Sequence, residues 1–195
     1  MSVPNQLKLS MVNRPYPGQA TSGDWPFFYA RGDDLLLGLV DSLGHGAPAH
    51  AFSMQIRGFL DAHWHAELPR LIDELHVAVR GGLGAAICLA HVTLGLGVLR
   101  CVGIGNVHAS ALGSINRRFV SRDGVLGLHY RTPMVQEARL ARGDKIIVAS
   151  DGMQERLFRQ CGLTEASRSP DSLVQHLLCH YGKSHDDASC LVFEF

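Results

Sequence analysis

Short apolar runs punctuated by glycine, aspartate, asparagine and proline make up most of the chain. Leu7–Val12, Phe27–Ala30, Leu35–Val40, Ala85–Val92, Gly97–Val102, Val107–Leu112, Arg117–Ser121 and Lys145–Ala149 are rich in apolar or β-branched residues between such breakers, and they predict strands. Two segments carry a different period. Ala49, Phe52, Ile56 and Phe59 recur at helical spacing within Ala47–His65, and Leu71, Ile72, Leu75 and Val79 do so within Leu68–Val79, which predicts two amphipathic helices. Gly81-Gly82 offers a left-handed stop to the second. A helix is predicted from just after Asp151 to Phe158, and another over Asp171–Tyr181, with Pro170 and Asp171 suited to its start. Leu191–Phe195 reads as the last strand.

The order is strands, two helices, a long run of strands, two helices, strand. Successive strands between Ala85 and Ser121 leave no room for the crossovers that parallel pairing requires, so a doubly wound sheet is excluded. The predicted class is α+β, with antiparallel sheets and helices packed outside. No repeat or linker divides the 195 residues, and one domain over 1–195 is expected.

Composition narrows the picture. With 46% hydrophobic and 18% charged residues the chain can bury a core, which rules out wholesale disorder. Eighteen Lys+Arg balance eighteen Asp+Glu, so nothing favours a nucleic-acid binder or a polybasic membrane anchor. No apolar run approaches the ~20 residues that span a bilayer, and the N-terminus lacks a secretory pattern, so a cytoplasmic location is expected. Cys88, Cys101, Cys161, Cys179 and Cys190 are odd in number and form no C-x-x-C pair, which predicts buried, reduced thiols.

Acidic residues stand at the ends of apolar runs. Leu35–Val40 runs into Asp41-Ser-Leu-Gly-His-Gly46, and Lys145–Ser150 into Asp151-Gly152. Asp24 precedes the strand Phe27–Ala30, and Asp186-Asp187 leads into the last strand. A carboxylate at the mouth of a buried strand must be solvated, paired or metal-bound. Any one of these acids could be an ordinary strand-end or cap residue. Converging together, they would need cations, and an oxygen-only donor set favours Mg²⁺ or Mn²⁺. Gly44 and Gly46 permit a sharp turn after Asp41, and the Ser42 carbonyl is a further hard oxygen donor.

The segments Ser22-Gly-Asp24, Val40-Asp-Ser-Leu-Gly-His-Gly46, Ala149-Ser-Asp-Gly152 and Asp186-Asp-Ala-Ser189 resemble, in order, the motifs of metal-dependent Ser/Thr protein phosphatases, in the bacterial branch containing SpoIIE, RsbU and RsbX. The resemblance runs from Asp24 to the C-terminus. A compact length without a sensor domain is most similar to the RsbX type, a stressosome feedback phosphatase. The resemblance implies an α-β-β-α sandwich and two divalent cations, Mn²⁺ or Mg²⁺. By motif, Asp41 bridges both, Asp151 and Asp186 complete the first site, and Asp24 with the Ser42 carbonyl serves the second. Asp187 is the rival to Asp186. Asn106 falls where eukaryotic relatives carry an aspartate for a third metal, so no strong third site is expected. The implied partner is a phosphorylated STAS-domain protein or stressosome component, with no nucleic acid or membrane, and a monomer is expected.

Two cations can activate water for in-line attack on a phosphomonoester, with no phosphoenzyme. His45, near Asp41, either protonates the leaving oxygen or merely lines a helix start. Arg14 or Arg31 could meet the phosphate. Arg117, Arg118 and Arg122 form the densest basic cluster, either steering an acidic phosphoprotein or a solvated hairpin face. His63 and His65 read as surface, and Trp25, Pro26 and Phe27 as core. The alternatives are a small-molecule phosphoesterase and a catalytically silent binding module of the same fold.

Overall fold

In the computed structural model, residues 7–160 and 162–195 are described. The elements are β1 (Lys8–Arg14), β2 (Asp24–Arg31), β3 (Asp34–Ser42), α1 (Gly46–His63), α2 (Leu68–Ala78), β4 (Ala85–Thr93), β5 (Val98–Ile104), β6 (His108–Leu112), β7 (Asn116–Phe119), β8 (Gly124–Val125), β9 (His129–Tyr130), β10 (Gln136–Arg139), β11 (Lys145–Ala149), α3 (Leu157–Gln160), α4 (Leu163–Ala166), α5 (Pro170–Tyr181) and β12 (Ala188–Glu194). One sheet has the order β1-β12-β11-β6-β7, the other β10-β5-β4-β3-β2, and β8-β9 is a small hairpin. Every pairing within the two large sheets is antiparallel. The class is therefore α+β, as the strand order predicts.

Three apolar layers hold four layers of structure together. The innermost joins the two sheets through Leu35, Leu37 and Leu39 of β3 on one side and Ile146, Val148, Leu191 and Phe193 on the other. On the far side of β3, Leu36 and Val40 pack with Ile56, Leu60, Leu71 and Leu75 of α1 and α2. On the outside of the other sheet, Ile147 and Val192 meet Leu173, Val174 and Leu177 of α5. An antiparallel strand usually alternates because one face is wet. In β3 both faces are covered, which is why Leu35-Leu36-Leu37 runs unbroken and all three are fully buried. Truncating Leu36 to alanine is expected to cost about 2–5 kcal/mol.

The helix ends follow local rules. The N-cap of α5 is Ser169, whose hydroxyl accepts from the Ser172 amide at 3.3 Å, with Pro170 in the first turn. α2 ends at Ala78, and Gly81 takes a left-handed φ of 79°.

Three expectations need correction. The helix predicted from Asp151 to Phe158 is reduced to Leu157–Gln160. Before it the backbone is committed elsewhere: Gln154 N–H donates to Tyr181 O at 2.7 Å, and Lys183 N–H to Gly152 O at 2.8 Å. These bonds to residues about 30 positions away compete with helix formation, although Met153 and Leu157 are buried four residues apart as a helix would place them. The strands β8, β9 and β10 lack an apolar pattern and were not foreseen. Finally, Cys88, Cys101 and Cys190 are buried thiols, but Cys179 is exposed on α5, and Cys161 lies outside the described residues. Among the described residues no helix is long and apolar enough to cross a membrane.

Candidate active site

The antiparallel order brings four chain segments to one end of the sandwich. Asp24 opens β2 and lies directly opposite Asp41 near the end of β3. In the other sheet β11 runs into Ser150-Asp151, and Asp186-Asp187 precedes its neighbour β12. The sheets stack face to face, so these acids meet across the inter-sheet layer.

Asp24 is 2% exposed. Burial raises its pKa to about 7; the Ser150 and Ser189 hydroxyls oppose the rise, and the Asp187 and Asp151 charges add to it. Ser189 Oγ donates instead to Asn13 Oδ1 at 3.0 Å, and Ser150 Oγ is engaged with the Ser189 backbone. Asp24 Oδ2 is left buried with no hydrogen-bond partner. Asp41 is half-buried, and its pKa is pushed well up by desolvation and then by the charges of Asp24, Asp151 and Asp186. Asp186 is also raised, first by desolvation and then by Asp151, with Lys183 opposing. The charge of Asp151 acts on Asp24, Asp41 and Asp186 alike.

The rival acids separate by their contacts. Asp187 is buried, and its two oxygens accept from the backbone N–H groups of Tyr16 at 2.6 Å and Gly23 at 2.9 Å. It therefore clamps the β1–β2 loop that presents Asp24. Asp186 does not hold that loop: its carboxylate accepts from the Asp187 amide and lies in the field of Asp151. Asp151 itself accepts from Asn106 Nδ2 at 2.6 Å.

Ser42 is anchored on both sides: its hydroxyl pairs with Ser53 Oγ at 2.7 Å, and its amide donates to Gly23 O at 3.3 Å. Its carbonyl oxygen lies against Gly23, next to Asp24. The turn that follows uses Gly44 and Gly46, both at positive φ (87° and 72°), where a side chain is strained. His45 is the N-cap of α1 but makes no side-chain cap; it is exposed and stacks on Tyr16 with ring centroids 4.4 Å apart.

The arginines distribute differently from expectation. Arg31 ends β2 at the opposite pole from Asp24, with its guanidinium over Trp64 at 4.7 Å, so it cannot meet a phosphate at this site. Arg14 donates to the Lys183 carbonyl and so braces the turn before Asp186. Arg117 and Arg118 diverge: Arg117 donates to Glu137 O at 2.7 Å, whereas Arg118 reaches His108 and Glu155. Trp25 stacks on Phe27, which is core. His63 is exposed, and His65 bonds Glu74 at 3.2 Å.

Asn13, Tyr16 and Ser189 shape the site but carried no signal as a group. Asn13 Nδ2 donates to Asp24 O at 2.8 Å, and its partner Ser189 lies 176 residues away. Only Ser189 falls inside a motif.

Among the described residues, no three His, Cys, Asp or Glu side chains already stand as a ready set of ligands around one point. The donor set nevertheless fits hard cations: it is all oxygen, its charges repel, and the buried Asp24 Oδ2 has no partner. Divalent cations would satisfy that oxygen and relieve the repulsion.

This architecture is that of PP2C-type phosphatases. A chain from work on "the bacterial stressosome: a modular system that has been adapted to control secondary messenger signaling" superposes with a TM-score of 0.88 at 22% identity, covering 97% of this chain and 100% of that one. RsbX in complex with magnesium gives 0.82 at 17% identity, with 95% and 94% covered. The PP2C phosphatase domain of the cell fate determinant SpoIIE from Bacillus subtilis gives 0.74 at 15% identity, with 98% and 64% covered. At the level of sequence, residues 31–195 match the model of the Stage II sporulation protein E (SpoIIE) family. The chain belongs to the SpoIIE family.

Proposed function

We propose that this protein is a metal-dependent serine/threonine protein phosphatase that hydrolyses phosphoserine or phosphothreonine on a bacterial signalling protein, a STAS-domain or stressosome component. The observation that supports the reading is the charge that Asp24, Asp151 and Asp186 exert on Asp41, with an unpartnered buried oxygen on Asp24. Asp41 would be shared by two Mn²⁺ or Mg²⁺ ions, with Asp151 and Asp186 holding one and Asp24 with the Ser42 carbonyl the other. When bound, such a pair supplies Lewis acidity toward water and the phosphoryl oxygens.

The rest of the work falls to the chain. Asp187 fixes the loop ahead of Asp24 through two charge-assisted backbone hydrogen bonds. Asn106 orients Asp151, as an outer-shell donor does for a ligating carboxylate. His45, exposed at the start of α1 and stacked on Tyr16, would hand a proton to the departing seryl oxygen.

The test is phosphate release from a phosphorylated STAS-domain protein and from an aryl phosphate, in Mn²⁺, in Mg²⁺ and in chelator. Metal-dependent release from the phosphoprotein, lost in Asp41→Ala and Asp151→Ala, is the expected result. Release that persists in chelator or in both variants removes the mechanism. Activity on the aryl phosphate alone favours a small-molecule phosphoesterase, and none on either favours a silent binding module.

A further inference from the structure

A second feature opens at the same end of the sandwich, beyond the acids. A cavity of about 270 Å³ is lined by Gly105, His108, Arg118, Phe119, Val120 and Ser121. His108 opens β6 and sits opposite Ala149, two residues before Asp151, whose charge acts on it. Arg118 comes from β7, the outermost strand on this side. Neighbouring strands are about 4.8 Å apart and extended residues about 3.3 Å, so a guanidinium held over His108 lies roughly 8–10 Å from the Asp151 carboxyl. An extended polypeptide crosses that distance in about two or three residues.

The guanidinium is held in place rather than trailing in solvent. One amino group donates to Glu155 Oε1 at 3.1 Å, the other meets His108 Nδ1 at 3.1 Å, and the plane lies 5.6 Å from the Phe158 ring centroid. A guanidinium only donates, so His108 Nδ1 is the acceptor in this contact, in keeping with a His108 pKa lowered by burial and next by the Arg118 charge. A guanidinium has five N–H donors, and these two contacts leave three. That is enough to grip a further carboxylate or phosphoryl group through two parallel hydrogen bonds. Glu155 is itself shared with Arg159 at 3.3 Å, so it does not neutralise Arg118 alone.

We propose that Arg118 and its cavity form a specificity subsite that takes an acidic side chain of the substrate polypeptide, two or three residues from the phosphorylated serine or threonine. The subsite rests on the phosphatase reading above. It gives that reading a substrate class: a phosphoprotein with negative charge close to its phosphosite. Arg118 contacts substrate but not the reacting atoms, and Glu155 holds one of its donors beside those left for the incoming carboxylate.

The experiment compares phosphoserine peptides carrying glutamate, alanine or lysine at the second and third flanking positions, with Mn²⁺ present. The reading is the ratio of kcat/KM for the glutamate peptide to that for the alanine peptide. The wild type is expected to favour glutamate by about five- to tenfold. Arg118→Ala brings the ratio to about one, and Arg118→Glu reverses it so that lysine is preferred. Glu155→Ala holds or raises the ratio. A ratio unmoved by both Arg118 variants overturns the subsite, as does an equal loss in Glu155→Ala and Arg118→Ala, which would make the pair a structural latch. A wild type that cleaves the peptides without preference also overturns it while leaving the phosphatase intact. A wild type that cleaves none of them removes the phosphatase reading and the subsite with it.

Discussion

Two aspartates, each 2% exposed, sit at opposite poles of the same sandwich. Asp144, before β11 at the pole away from the site, accepts from the amide and hydroxyl of Ser114 at 2.5 and 2.6 Å and from the Ala141 amide at 2.8 Å. Asp24, at the other pole, has an oxygen with no donor and the like charges of Asp41, Asp151 and Asp187 nearby. The same pole as Asp144 also pairs Lys145 and Lys8 with Glu194, and His91 with Asp34. Burial is equal; satisfaction is not. A carboxylate saturated by N–H and O–H groups is a fold element, and one left short of donors among other carboxylates is a place for something not yet bound.

The contrast can be broken by mutation. The largest effect is expected at the unsatisfied pole: Asp41→Ala should lower phosphatase kcat/KM by about 100-fold or more while circular dichroism shows an intact fold. At the satisfied pole Asp144→Ala should act on stability instead, by about 3 kcal/mol in urea denaturation, because three donors lose their acceptor. If Asp144→Ala is neutral, the distinction between the poles fails.

Asp24→Asn sharpens the comparison with the opposite sign. Removing an unpaired buried charge should stabilise the metal-free protein at pH 8 by about 1–3 kcal/mol, while costing activity. The same logic sets a pH dependence. The Asp24 pKa is raised to about 7 from an unfolded value near 4, so between these limits the native state keeps a proton that the unfolded chain has released. Metal-free stability should be full below about pH 4 and fall as pH rises toward 7, and Asp24→Asn should flatten that slope in thermal melts. Saturating Mn²⁺ should restore the melting temperature at pH 8, since binding only the native state stabilises it. The smallest effect belongs to Arg31→Ala, about 0.5–1 kcal/mol from the lost contact with Trp64, with KM unchanged.

Much of this was legible in one dimension. Leu35–Val40 and Lys145–Ala149 announce buried strands, and the acids at such strand mouths stand out as a set, although each alone could be an ordinary strand-end residue. What misled was local pattern without partners. Met153 and Leu157 imitate a helix face, yet the backbone of 152–154 is claimed by 181–183. Gly152 marks the point, since a Cβ there would collide with the Asp187 carbonyl. β10, Gln136–Arg139, is a polar edge strand whose position is set by its ladder with β5, and nothing in Gln-Glu-Ala-Arg encodes that.

Residue types and their spacing along the chain determined which segments would be strands, which helices, and which carboxylates would sit at strand mouths, because those properties depend on neighbours a few positions away. Only the tertiary structure decided that Asp187 clamps a loop while Asp186 faces the other acids, that Arg31 lies at the wrong pole, and that Arg118 stands beside the site. Those outcomes depend on strand order and on which face each side chain takes, and both are fixed by contacts between residues far apart in sequence.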